Sequence, residues 1–205
     1  GQPLTLLHFN DFHGQLEPYA DQESGKVLGG IARLAGLVEA IRAEDPKRPV
    51  LILFAGDLLQ GTTTSTLYLG RPDIKLLEEI GVNAAAVGNH EVDFGQDNLR
   101  KLASMIDFPL LAANLSASPD PLPVQPFALF HPEGGPRVAV LGLTTEELVT
   151  ASHPRNVLGL SVSDPLAMAQ ALVPELDAQS DLLIVLSHLG LAGDRGSIEK
   201  GKLAD

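Results

Sequence analysis

Four short segments carry side chains suited to holding cations and moving protons: Asn10-Asp11-Phe12-His13, Gly56-Asp57-Leu58-Leu59-Gln60-Gly61, Gly88-Asn89-His90-Glu91-Val92-Asp93 and Ser187-His188-Leu189-Gly190. Asp11 and His13 are two residues apart, so in an extended segment they point the same way and can share one cation through a carboxylate oxygen and an imidazole nitrogen. The Asp57 carboxylate has two oxygens and can bridge two cations, while the glycine before it lets the backbone turn sharply away. Asn89 offers a neutral amide oxygen, and His90 with Asp93 makes an acid-base pair in which the carboxylate orients the imidazole and stabilises its charge. His188 closes a wholly apolar run, where a histidine is either a satisfied core residue or a ligand held rigidly by buried backbone. Each segment alone also reads as an ordinary turn or loop. Their joint occurrence carries the chemistry.

The elements that must position these segments are visible as hydrophobic patterning. Leu4 to Phe9, Val50 to Ala55, Ala84 to Val87, Arg137 to Leu143 and Leu182 to Leu186 read as buried strands bounded by Gly, Asp, Asn or Ser. Between them, Ile31, Leu34, Leu37 or Val38, and Ile41 recur at helical spacing, as do Leu99, Leu102 and Ile106. A third helix is predicted from Asp164, with Pro165 at its first position and Leu166, Ala169, Leu172 and Leu176 on one face. The alternation predicts an α/β fold, with a mostly parallel or mixed sheet covered by helices on both faces. Such sheets assemble sites where loops leave the carboxyl ends of strands, which is where all four polar segments fall. Ser116 to Pro126 holds four prolines and is predicted as a surface loop. Gly193 to Asp205 is polar and breaks the rhythm where another helix and strand are expected.

Composition narrows the partners. The 205 residues are 44% hydrophobic, enough for one sizeable core, and a second full domain is not expected. The formal net charge of -12 opposes binding to a nucleic acid polymer, whereas a small anion can be drawn in by bound cations that reverse the field locally. No cysteine is present, so any metal must be held by His, Asp, Glu or Asn. Gly1-Gln2-Pro3 leads straight into an apolar strand pattern, and no run reaches the length of a membrane span or signal peptide, which fits either a cytoplasmic chain or one whose leader has been removed.

In order and spacing, Asn10-Asp11-Phe12-His13-Gly14, Gly56-Asp57 with Gln60-Gly61, Gly88-Asn89-His90-Glu91 with Asp93, and Leu186-Ser187-His188-Leu189-Gly190 resemble the calcineurin-like metallophosphoesterase superfamily, and within it the 5'-nucleotidase family. The resemblance runs from Leu4 to about Arg195. It implies a four-layered α/β fold, two sheets sandwiched between helices, and two divalent metal ions. Asp11 and His13 would bind the first metal, Asp57 would bridge both, and Asn89 and His188 would bind the second. His90, paired with Asp93, would contact the substrate phosphate beside Asn89. The implied reaction is hydrolysis of a small phosphomonoester, foremost a nucleoside 5'-monophosphate, by a hydroxide held between the cations. The mixed His, Asn and carboxylate set suits Mn, Zn, Fe or Co. Related families hydrolyse cyclic nucleotides, nucleotide sugars or sulfur-bearing esters, and a non-catalytic fragment is the reading of a different class.

The resembled family continues to a Gly-His-x-His type motif that supplies a further ligand to each metal, and Gly190 to Asp205 does not match it. The expectation is one catalytic domain over residues 1–205, ending before that motif, with a C-terminal nucleotide-binding domain in the full-length protein. Relatives are commonly exported, so a periplasmic or extracellular location is expected. His8, His131 and His153 are expected to have no catalytic role and Glu91 to be a supporting or solvated carboxylate, while Asn114, after the apolar stretch Pro109 to Ala113, is one candidate for a supporting polar group rather than the favoured reading.

Overall fold

The computed structural model describes residues 3–190. The predicted break at Gly193 to Asp205, and the question of a further histidine motif there, lie outside the described residues. The chain opens with β1 (Thr5–Phe9), a small hairpin of β2 (Tyr19–Ala20) and β3 (Val27–Leu28), α1 (Ile31–Glu44) and β4 (Val50–Phe54). It continues through α2 (Thr63–Leu67), α3 (Arg71–Ile80), β5 (Ala84–Ala86), a 3-10 turn (His90–Val92) and α4 (Gln96–Ala103). Short strands β6 (Leu110–Leu111), β7 (Leu115–Ala117), β8 (Val124–Gln125) and β9 (Phe127–Phe130) precede β10 (Val138–Thr144). The rest is α5 (Leu148–Ala151), β11 (Leu160–Val162), α6 (Pro165–Gln179) and β12 (Leu182–His188).

Two sheets dominate. The first has the order β1-β4-β5-β6-β8, and every neighbouring pair in it is parallel. The second has the order β12-β10-β9, parallel between β10 and β12 and antiparallel between β10 and β9. Side-chain alternation on buried strands explains why the sheets stack. On β4, Ile52 and Phe54 join a core with Val38 of α1, Ile74 and Leu77 of α3, and Leu99 of α4. Leu51 and Leu53 point to the opposite face and meet Val138 and Val140 of β10. On β10, the alternate residues Ala139, Leu141 and Leu143 turn the other way, onto Ala169 and Leu176 of α6. A period of two thus commits each central strand to two cores, and the layers run helices, sheet, sheet, helix. Strands buried on both faces read as continuous apolar runs, which is what the sequence shows at Val50 to Ala55 and Arg137 to Leu143. Truncating a side chain such as Leu53 to alanine would cost about 2–5 kcal/mol, because the packed neighbours cannot fully collapse.

The third predicted helix forms as its sequence dictates. The Asp164 carboxylate accepts from the backbone N–H of Leu166 at 2.8 Å and Ala167 at 3.4 Å, and Pro165 fills the first position, where no donor is needed. In α1 the ambiguity between Leu37 and Val38 resolves to Val38, which is 2% exposed against 58% for Leu37. Ile106 packs on the core from beyond the end of α4 rather than from within it. The predicted loop Ser116 to Pro126 includes the end of β7, paired antiparallel with β11, and the whole of β8 at the edge of the first sheet. Among the described residues no helix is long and apolar enough to cross a membrane.

Candidate metal centre

The carboxyl ends of β1, β4, β5 and β12 lie together, because β1, β4 and β5 are neighbours in one parallel sheet and β12 runs in the sheet stacked on it. Backbone bonds fasten the loops to one another: Asp11 N donates to Gly56 O at 3.0 Å, and His13 N donates to Asp57 O at 3.1 Å. Asp11, His13 and Asp57 all sit in the left-handed region, with φ of 50°, 46° and 62°. Such backbone is strained for a residue with a Cβ, by about 1–3 kcal/mol each, and the surrounding hydrogen bonds hold it in place. The result is that side chains from separate strands turn toward one point.

At that point Asp57 is central. It is 4% exposed, its Oδ1 accepts from His90 N at 3.0 Å, and its Oδ2 lies 3.2 Å from His188 Nε2 and 3.9 Å from His13 Nε2. Two groups of ligand atoms, each with all members within 4.8 Å of one another, share Asp57: one with His13 and His90, the other with Asp11 and His188. These groupings pair His13 with His90, whereas the resemblance pairs His13 with Asp11, whose Oδ1 is 3.7 Å from His13 Nε2. Asp11 is half exposed and also accepts from Asn10 Nδ2. Asn89 opens the 3-10 turn beside them, half-buried.

The imidazoles share one orientation rule. His13 Nδ1 lies 3.3 Å from Leu59 O, His188 Nδ1 lies 2.8 Å from Ala55 O, and His90 Nδ1 lies 2.6 Å from Asp93 Oδ2. With Nδ1 occupied by an acceptor, the proton sits there and the Nε2 lone pair is left for a cation or a substrate. One buried carboxylate among three imidazoles presenting Nε2, with the Asp11 carboxylate beside them, is a donor set that fits borderline divalent cations.

Electrostatics agree with the geometry. Burial opposes ionisation of Asp57, but the hydrogen bonds from His188 and from His90 N, with the charges of both rings, hold its carboxyl below the usual range. Burial likewise opposes charge on His188, and Asp57 outweighs it, so the imidazole is pushed up to about 9. His90 is also raised: burial works against it, and the Asp93 hydrogen bond and the Asp57 charge prevail.

Glu91 belongs to neither ligand group and is not solvated. It is 5% exposed and accepts from Asp57 N at 3.0 Å, Leu58 N at 2.6 Å and Gly88 N at 2.6 Å. Burial, then the neighbouring Asp57 charge, pushes its carboxyl up against the pull of those three donors. Gly88 is required by the close approach here, since a Cβ would fall 2.3 Å from Asp57 Oδ1 and 2.7 Å from Asp57 N. Asn114 is a buried tie between elements: its Nδ2 donates to Thr144 O and Ser163 O, and its Oδ1 accepts from Thr144 N.

Other supports carry no sequence signal. Ser152 Oγ donates to Asn89 O at 3.1 Å, Asn156 Nδ2 donates to Asp93 O at 2.7 Å, and Thr62 Oγ1 donates to Gly14 O at 2.7 Å. Single hydroxyls and amides in loops look alike until the chain brings their partners to them.

The calcineurin-like phosphoesterase family model matches residues 4–203. The 5'-nucleotidase of Mus musculus is 37% identical over 218 residues, covering 98% of this chain and 36% of that protein. The chain thus spans about a third of the length of the curated relatives it matches. Among solved structures, a 5'-nucleotidase precursor from Thermus thermophilus superposes with a TM-score of 0.82 at 36% identity, over 93% of this chain and 38% of that one. The NAD nucleotidase of Haemophilus influenzae superposes with a TM-score of 0.80 at 29% identity, over 96% of this chain and 35% of that one.

Proposed function

The chain belongs to the calcineurin-like phosphoesterase family, and on that footing we propose that it is the metal-holding catalytic part of a phosphoric ester hydrolase whose substrates are nucleoside 5'-monophosphates. The observation that carries this reading is the sharing of Asp57 between two ligand groups, one with His13 and His90 and one with Asp11 and His188. Asp11, His13, Asp57, Asn89 and His188 are the residues proposed to hold two divalent cations. Bound there, such ions would supply Lewis acidity, make water acidic enough to be a nucleophile at neutral pH, and neutralise charge on phosphoryl oxygens.

The chain's own residues account for the remaining chemistry. Hydrolysis forms a bond from a water oxygen to phosphorus and breaks the ester P–O bond, leaving negative charge on the departing oxygen. His90, held by Asp93 at 2.6 Å and raised toward its protonated form, is the proposed donor, from Nε2, to the phosphate, where it would stabilise that charge. Asp93 keeps the ring in the required tautomer, and Asn89 contacts the same phosphate. Recognition of the nucleoside is assigned to a C-terminal nucleotide-binding domain, and location to the periplasm or cell exterior. The 36% share of the relatives' length leaves room for that domain.

The test is Asp57→Asn in the full-length protein. It removes one charged oxygen from both ligand groups at once, and metal-dependent release of phosphate from a nucleoside 5'-monophosphate should fall to background. Unchanged turnover would overturn the assignment. The likeness to an NAD nucleotidase favours a second reading, hydrolysis of NAD itself. A substrate panel with NAD, a cyclic nucleotide and a nucleoside monophosphate separates the two by which compound turns over fastest.

A further inference from the structure

The Glu91 carboxylate ties two loops that belong to different strands. Its Oε1 accepts from Leu58 N, and its Oε2 accepts from both Asp57 N and Gly88 N. Asp57 and Leu58 follow β4, whereas Gly88 follows β5 and leads into Asn89 and His90. We infer that Glu91 is a positioning residue that fixes the bridging orientation of Asp57 by locking the backbone of its loop to the loop that carries Asn89 and His90. This rests on the proposed two-cation reading of the centre.

Three observations carry the inference beyond general stabilisation. First, the bonds go to the residue at issue: the N–H of Asp57 itself is held while that residue sits at a φ of 62°, so the clamp acts on the strained position that aims the carboxylate. Second, the space is exclusive. A Cβ at position 88 would lie 2.3 Å from Asp57 Oδ1 and 2.9 Å from Glu91 Oε2, so the two carboxylates are packed against the same glycine, and neither can swing without meeting it. Third, the chemistry selects a carboxylate. Three N–H donors converge on two acceptor oxygens, and the amide of a glutamine has one acceptor oxygen and an NH2 group that would face an N–H. Glutamate at a buried site is otherwise unfavourable, and here its charge is met by backbone dipoles rather than by a lysine or arginine.

The consequence is that Glu91 sets how well Asp57 reaches two ions at once, while touching neither ion nor substrate. The experiment uses Glu91→Gln and the shorter Glu91→Asp beside the parent, all in the full-length protein, with circular dichroism as the check on folding. In the metal-free state, 15N-resolved NMR reads the Asp57, Leu58 and Gly88 amide protons, which should move upfield in both variants as the short bonds are lost. Manganese titration by calorimetry and electron paramagnetic resonance then reads the centre. The parent should bind two ions with a spin-coupled signal. The variants should bind the second ion roughly 10- to 100-fold more weakly, as loss of an outer partner of a metal ligand does, and show an uncoupled signal. If the variants merely melt at lower temperature while two coupled manganese ions bind as in the parent, the inference is overturned and the two-cation reading stands. If the parent itself binds no manganese, the two-cation reading falls and takes this inference with it. Should Glu91→Gln fail to fold, Glu91→Asp, which keeps both acceptor oxygens and the charge, supplies the same readouts.

Discussion

The His188 imidazole is gripped on both nitrogens, with Nδ1 2.8 Å from the Ala55 carbonyl and Nε2 3.2 Å from Asp57 Oδ2. Burial disfavours the charged ring, but Asp57 and the Ala55 carbonyl outweigh it and raise His188 from 6.5 to about 9. Because the folded value is raised, the stabilisation from this pair is fully present below about pH 6.5 in the metal-free chain and is lost as pH rises through about 9. A cation that takes Nε2 must displace the same proton. Metal binding should therefore release protons at neutral pH and stop releasing this one well above pH 9. Calorimetry in buffers of different ionisation enthalpy measures the release, and a value that stays constant across that window would refute the coupling.

Asp93 is the partner that raises His90 and holds its Nδ1. Replacing it by asparagine removes the charge and lets the ring turn, so kcat of the full-length enzyme should fall about 100-fold with a smaller change in KM. The His90 pKa should drop as well, and the basic limb of the pH–rate profile should move to lower pH. A profile that keeps its position would mean that His90 is not the titrating acid.

Two glycine-to-alanine replacements should have opposite signs. Gly88→Ala drives a methyl group into Asp57 and Glu91, so it should destabilise the chain by about 1–3 kcal/mol and weaken metal binding. Gly36 lies within α1 with nothing within 4 Å of an added Cβ, so Gly36→Ala should stabilise by about 0.5–1 kcal/mol and leave the centre untouched. Urea denaturation of both variants reads the difference, and a stabilising Gly88→Ala would contradict the packing described.

Asp73, in the first turn of α3, is fully buried. The Ser65 hydroxyl beside it lowers its pKa, but neither carboxylate oxygen meets hydrogen-bond geometry, so burial dominates and the pKa is raised. A raised carboxyl contributes its stability below the unfolded value of 3.8 and loses it as pH rises through the folded value. Asp73→Asn removes that loss. The variant should be more stable than the parent at pH 7, and the advantage should shrink toward pH 4 in thermal melts at both pH values.

Much of the centre is legible in the sequence because ligands fall where apolar runs end. Asp57 after Val50 to Ala55 and His188 after Leu182 to Leu186 can be placed from a pattern of buried strands alone. The partition of ligands is not legible: His13 and His90 meet across Asp57 through the left-handed turns at Asp11, His13 and Asp57, and although Asp and His tolerate a positive φ better than most residues, they adopt it too rarely for the sequence to announce it. Glu91 reads equally well as solvated, since its three donors are backbone groups of residues that any sequence would supply. In the fold, α3 shows Ile74, Leu77 and Ile80 at helical spacing, yet it lies between two turns rich in polar residues and is absent from the helices predicted above. Strands of two residues, such as β6 and β8, exist only through pairing with neighbours and leave too short a pattern to detect.

Residues proposed to hold the cations, Asp11 and His13 among them, occupy backbone that glycine would adopt with least strain. A library of this chain sorted for heat resistance alone should therefore drift toward glycine at positions 11 and 13, whose side chains are partly exposed, becoming hardier as it falls silent, while one sorted for turnover should keep the costly side chains.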